Sequence, residues 1–88
     1  MIKLLIDIVG WIGSVEVILA YGLISYHKIT AKSIVYQLLN LTGGAFLIIN
    51  TIYYGAYPST AINVVWLIIA AVAIVSILRS KNVGNQIK

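Results

Sequence analysis

Residues 33–78 read SIVYQLLNLTGGAFLIINTIYYGAYPSTAINVVWLIIAAVAIVSIL, and no side chain in that stretch carries a charge. Lys32 stands before it and Arg79 after it. At about 20 residues per crossing, a run of this length holds two membrane-spanning helices. A breaker divides it, Gly55-Ala56-Tyr57-Pro58-Ser59. Gly55 suits a helix C-terminus, and Pro58 suits the first turn of the next helix. The second span is therefore expected from about Val35 to Tyr54, and the third from about Ser59 to Leu78. Ser33 is placed to cap the second.

Toward the N-terminus, Lys3 and Lys28 bracket another apolar run, whose only charges are Asp7 and Glu16. It predicts a first span from about Leu4 to Tyr26. That is roughly 34 Å of helix at about 1.5 Å per residue. Lys3 ahead of an apolar run loosely fits a secretory leader. Glu16 in its middle, and the length of the run, favour a retained helix. The polar stretch His27–Ser33 joins the first span to the second. Arg79-Ser80-Lys81 closes the third, and residues 82–88 are expected to form a loose polar tail. Barrel strands would alternate apolar and polar residues. These runs are apolar on all sides, so the expected class is an all-α membrane protein with one three-helix domain over residues 1–88.

Composition agrees. Of 88 residues, 61% are hydrophobic and 9% are charged. A soluble domain carries about a quarter charged residues, so lipid is the expected solvent. The chain has no cysteine and one histidine, His27. Disulfides and thiolate metal sites are excluded, and no metal or other cofactor is expected. The net charge of +4 sits beside the apolar spans, with no long basic run. Anchoring explains it better than a nucleic-acid partner does. Three spans put Lys3 on one side, and Lys28, Lys32, Arg79, Lys81 and Lys88 on the other. The excess of lysine and arginine marks the cytoplasmic side. A multi-pass protein of the cell (inner) membrane is expected, with the N-terminus outside and the C-terminus inside. Tyr26, Tyr53, Tyr54 and Tyr57 fall near span ends, where aromatic belts occur.

Each span carries a stripe at alternating spacings of three and four, which is one helical face. The stripes are Val9, Gly13, Glu16, Ala20, Leu23; then Tyr36, Asn40, Gly43, Leu47, Asn50, Tyr54; then Ser59, Asn63, Trp66, Ala70, Ala73. Glu16 lies about 18 Å along its helix from Leu4, near mid-membrane. An ionised carboxylate there costs about 3 kcal/mol on insertion scales. Two readings stand: a protonated glutamate bonded to a neighbouring helix, or a site that carries protons or meets a cationic solute. No lysine or arginine lies at that depth. Asp7 is nine positions away, on the opposite face, and reads as a charge at headgroup level. Asn40, Asn50 and Asn63 either bind helices together or line a polar cavity. Trp66 either stacks on a ligand ring or fills space between helices. Gly13, Gly43 and Gly44 allow close helix approach.

The three spans, the basic first loop with Lys32-Ser33, the Tyr54-Gly55 ending of the second span and Asn63 early in the third resemble the SemiSWEET half-transporters of the PQ-loop class. The resemblance covers nearly the whole chain, as a divergent bacterial member. The Pro-Gln pair that names the class is absent from Ala20–Ile24, and so is a tryptophan one turn before Tyr54. The resemblance implies a bundle with the third helix between the first two, and a parallel homodimer around a central path. It implies transport of a small polar solute, sugar-like or cationic. Glu16 is not a typical SemiSWEET feature and suggests proton coupling or a cationic group on the solute, while Asn40, Asn50, Tyr54, Asn63 and Trp66 are expected to line the site. The alternative is a non-transporting subunit or scaffold of a larger complex. No catalytic pair is visible, so an enzyme is not expected.

Overall fold

The computed structural model describes the backbone of residues 1–87 and the side chains of residues 1–80. The chain forms three helices: α1 (Ile2–Ser25), α2 (Ile34–Tyr53) and α3 (Tyr57–Ile87). Two of them, α2 and the Tyr57–Ser80 part of α3, are long and apolar enough to cross a membrane. The class is all-helical, as the sequence implies.

The ends of the helices follow local chemistry. At the start of α2, the Ser33 hydroxyl accepts from the Tyr36 amide at 3.5 Å, a long cap bond. At its end, Gly55 adopts a positive φ of 69°. The Gly55 amide then donates to Ile52 O and the Ala56 amide to Thr51 O. This is the paired closure of a Schellman motif. The end of α1 has the same wiring, His27 N to Ile24 O and Lys28 N to Leu23 O. Here, however, the left-handed position is His27, with φ 59°. Nothing in its residue type announces that conformation. Pro58 lies in the first turn of α3, as expected. The helix then runs to Ile87, past the expected end at Leu78. Residues 79–87 contain no proline, and polarity does not stop a helix by itself. The expected tail thus starts as helix, and Lys88 lies outside the described residues.

Helix α2 is the centre of the fold. It packs on α1 along one side and on α3 along another, and no backbone contact joins α1 to α3 among the described residues. The implied order, with the third helix between the first two, is therefore not the order of this chain. The glycines explain it: Gly10 lies under Asn50 and Gly13 against the Gly43 carbonyl, so α1 and α2 approach too closely for a third helix to lie between them.

The interfaces are built from small residues. The buried positions are Gly10, Gly13 and Ala20 on α1, Gln37, Gly43 and Gly44 on α2, and Ala70 on α3. Gly13 and Gly43 mark the closest crossing. A Cβ on Gly13 would lie 2.9 Å from the Gly43 carbonyl, and one on Gly43 would lie 2.8 Å from a Val17 methyl. On the other side, Gly44 faces the α3 backbone, 3.7 Å from Asn63 O to a built Cβ. Large side chains point outward: no large one is fully buried, and Trp11, Ile18, Tyr21, Val72 and many others are exposed. This is the inverse of a water-soluble core. It is the usual pattern where backbones approach through glycine and alanine and lipid covers the rest.

Candidate functional site

The polar residues singled out by sequence separate into three groups. The first is a cleft of about 140 Å³ over the face of α2, walled by α1 and α3. Val17 and Tyr21 contribute from α1, Tyr36, Asn40 and Gly44 from α2, and Asn63 and Trp66 from α3. The cleft exists because α1 and α3 both lean on α2 without meeting, and because Gly44 adds no side chain to its floor. Asn40 lies six residues from the start of α2, and Asn63 six residues from the start of antiparallel α3. Each is about 9 Å along its helix, from opposite ends, so the amides flank the middle of the bundle. Trp66 is 52% exposed and forms a broad wall. Among the described residues no hydrogen bond within the chain engages the side chains of Asn40 or Asn63. Below the cleft, a second recess of about 160 Å³ continues past Asn40 and Trp66 to Gln37 and Ala70. Gln37 is buried, and its Nε2 donates to Ala31 O at 2.8 Å, which ties the α1–α2 loop to the bundle.

The second group lies where the start of α1 meets the end of α2. Asp7, Gly10, Trp11, Ser14, Asn50 and Tyr54 surround an open recess of about 250 Å³. Asp7 accepts from the Tyr54 hydroxyl. Asn50 Nδ2 donates to Ile6 O at 3.0 Å, and its side chain covers Gly10, where a built Cβ would lie 2.6 Å from Asn50 Cγ. So Asn50 and Tyr54 are engaged in holding α1 to α2. Asp7 is half-buried and bonded across helices, not a free charge at the surface as its helical angle from Glu16 suggests. The overlooked signal is the antiparallel hairpin, which sets position 7 opposite position 54.

The third group is Glu16 with Thr42. Glu16 and Val17 straddle Gly43: a built Gly43 Cβ lies 3.3 Å from Glu16 Cβ on one flank and 2.8 Å from Val17 Cγ2 on the other. Val17 faces the cleft, so Glu16, about 100° away round α1, faces the opposite flank. There its Oε2 is hydrogen-bonded to the Thr42 hydroxyl. Its Oε1 is buried with no partner. Thr42 Oγ1 also lies 2.9 Å from Leu38 O, one turn back. The structure therefore does not bring Glu16 together with Asn63 and Trp66. Thr42 was invisible in the sequence because it lies outside the stripe of α2. Among the described residues no three acidic, histidine or cysteine side chains come together as metal ligands.

Fold and cleft together define a small all-helical chain with two helices of membrane length and a polar groove over its central helix. A protein-family model matches residues 6–82, and the chain belongs to that family, which is uncharacterised. No curated protein and no solved structure matches it.

Proposed function

We propose that the chain is one half of a homodimeric membrane transporter for a small polar solute. The observation that carries this reading is the cleft with two amides, Asn40 and Asn63, that find no partner among the described residues. All three helices then cross the bilayer. α1 is 24 residues long, about 36 Å of helix, and spans the roughly 30 Å hydrocarbon layer with some tilt. The lysines and arginines set the N-terminus outside and the loop between α1 and α2 inside. α3, at about 46 Å, projects its basic end into the cytoplasm.

In that setting the cleft opens toward lipid, where unpaired amides are costly. A second copy covers it and supplies a second pair of amides. The enclosed space lies near mid-membrane, as in transporters built from repeats. Asn40 and Asn63 bind hydroxyl or amine groups of the solute. Trp66, Tyr36 and Tyr21 supply aromatic walls. Among the described residues the backbones of α1 and α3 do not approach each other, an arrangement that leaves room for one wall to shift against the other in alternating access.

The test is uptake into proteoliposomes across a panel of sugars, amino acids and amines. Asn40→Leu and Asn63→Leu are expected to lower uptake roughly tenfold, about 1.4 kcal/mol, with helicity and dimer mass unchanged. No flux for any solute under any gradient sinks the reading. A stoichiometric larger partner on purification in mild detergent replaces it with a subunit of a complex.

A further inference from the structure

We infer that Glu16 holds a proton and donates it to Thr42, which makes the outer flank of the α1–α2 crossing a proton-binding site. Three observations converge on this. The first is a count of hydrogens. The Thr42 hydroxyl has one hydrogen and two neighbouring acceptors, Leu38 O at 2.9 Å and Glu16 Oε2. With Glu16 ionised, that single hydrogen must serve both, and one oxygen pair is left facing without a proton between them. With Glu16 as the donor both contacts close: Oε2–H donates to Thr42 Oγ1, and Thr42 Oγ1–H donates to Leu38 O. Hydroxyls accept and donate at once, so this chain is chemically ordinary.

The second observation is the buried Oε1 without a donor. On a carboxylate this oxygen carries half the negative charge and calls for strong donors. On a protonated carboxyl it is a neutral carbonyl oxygen, whose isolation costs far less. The third is the charge around it. Among the described residues α2 is the helix whose backbone approaches α1, and α2 has no lysine, arginine, aspartate or glutamate. Its titratable groups are Tyr36, which faces the cleft on the other flank, and Tyr53, near its far end. On α1 itself the others are Lys3, Asp7 and Tyr21. Asp7 is engaged by Tyr54, nine positions away, and Tyr21 faces the cleft. Among the described residues no positive group is placed to hold a carboxylate.

Release of the proton has a defined structural effect. The Thr42 hydrogen turns from Leu38 O to Glu16, and the bond inside α2 is lost one residue before Gly43. Gly43 is the point of closest approach between α1 and α2, so the proton is linked to the crossing on which one cleft wall rests. The linkage to solute movement rests on the transporter reading above, whereas the proton itself does not.

The experiment is infrared spectroscopy of the protein in lipid vesicles at neutral pH. The chain has one glutamate and one aspartate, so only two side chains can give a carboxylic acid band, and the carbon-13 difference spectrum separates the glutamate band from the lipid ester carbonyls. A protonated-carboxyl band is expected, and carbon-13 glutamate shifts it without any mutation. Asp7→Asn keeps the band and Glu16→Gln removes it. Thr42→Val keeps it but moves it to higher frequency, because the acceptor is gone. A spectrum without a glutamate-derived acid band at neutral pH overturns the proposal. So does a band whose frequency ignores Thr42→Val, since the proton then has another acceptor. Loss of uptake with the band intact counts against the transporter alone. Uptake with no band counts against the proton site alone.

Discussion

The surroundings of six glycines are described, and they are not alike. Gly13 meets the Gly43 carbonyl and Phe46 Cβ, each 2.9 Å from a built Cβ. Backbone cannot yield as a side-chain tip can, so Gly13→Ala pushes α1 away from α2. A loss of about 1–3 kcal/mol is expected, in the range of overpacking. Gly22 meets nothing within 4 Å. Gly22→Ala therefore gains about 0.5–1 kcal/mol from helix propensity. Unfolding of both variants in one detergent, followed by circular dichroism, checks the opposite signs. At this scale the sequence was informative about cost and silent about partners. Glu16 stood out because an acid in mid-membrane is expensive. Its partner Thr42 did not, because a threonine among apolar residues costs little and its position lies off the stripe. Asn40, Asn63 and Trp66 share the cleft that the stripes imply. Asn50 and Tyr54 share the same stripe of α2 but are bound to α1. A stripe fixes the face of a helix, not which neighbour that face meets.

Helix ends give the next set of expectations. Both α1 and α2 close through a left-handed residue, Gly55 in one and His27 in the other. The left-handed state costs a non-glycine residue about 1–2 kcal/mol. His27→Gly should thus raise stability by about 1 kcal/mol, and Gly55→Ala should lower it by a similar amount. Thermal unfolding of the two variants beside the parent measures this. Gly55 was legible as a terminator because glycine is the residue that tolerates this geometry. His27 was not, because it occupies that position against its preference. The end of α3 shows another limit. Arg79 and Lys81 end the apolar run, where lipid would give way to water in the proposed membrane setting, yet a helix crosses such a boundary freely. Hydropathy locates the membrane edge, and only caps and breakers locate the helix edge.

For the whole molecule, the absence of cysteine is an experimental asset. Lys3→Cys and Lys32→Cys each introduce one thiol into a chain with none. An impermeant thiol reagent applied to intact cells should label the first and spare the second until the cells are opened. Equal labelling of both would mean that α1 does not cross. The all-helical class was legible from charge spacing, since an uncharged stretch as long as residues 33–78 has few other uses. The arrangement of the helices was not. Apolar stripes of similar width permit either helix order, and the choice falls to which glycines meet. Gly10 and Gly13 on α1 and Gly43 and Gly44 on α2 put the closest approaches on the central helix, and α3 presents no glycine in its membrane-length part.

Among the described residues the backbones of α1 and α3 each approach α2 and not each other, so the close helix pairs join segments made consecutively on the ribosome. Residues 1–56 already contain both sides of the Gly13–Gly43 crossing, the Asn50–Ile6 bond and the Thr42–Glu16 pair. The hairpin needs no residue of α3 to complete these contacts, and it is expected to form before α3 docks. Expressed as a separate peptide, residues 1–56 are expected to insert and to keep a crosslink between cysteines placed at Ser14 and Leu47. Such vectorial assembly never holds a polar α1 face exposed for long. For a chain with a glutamate in its first helix, the order of emergence is itself a protection.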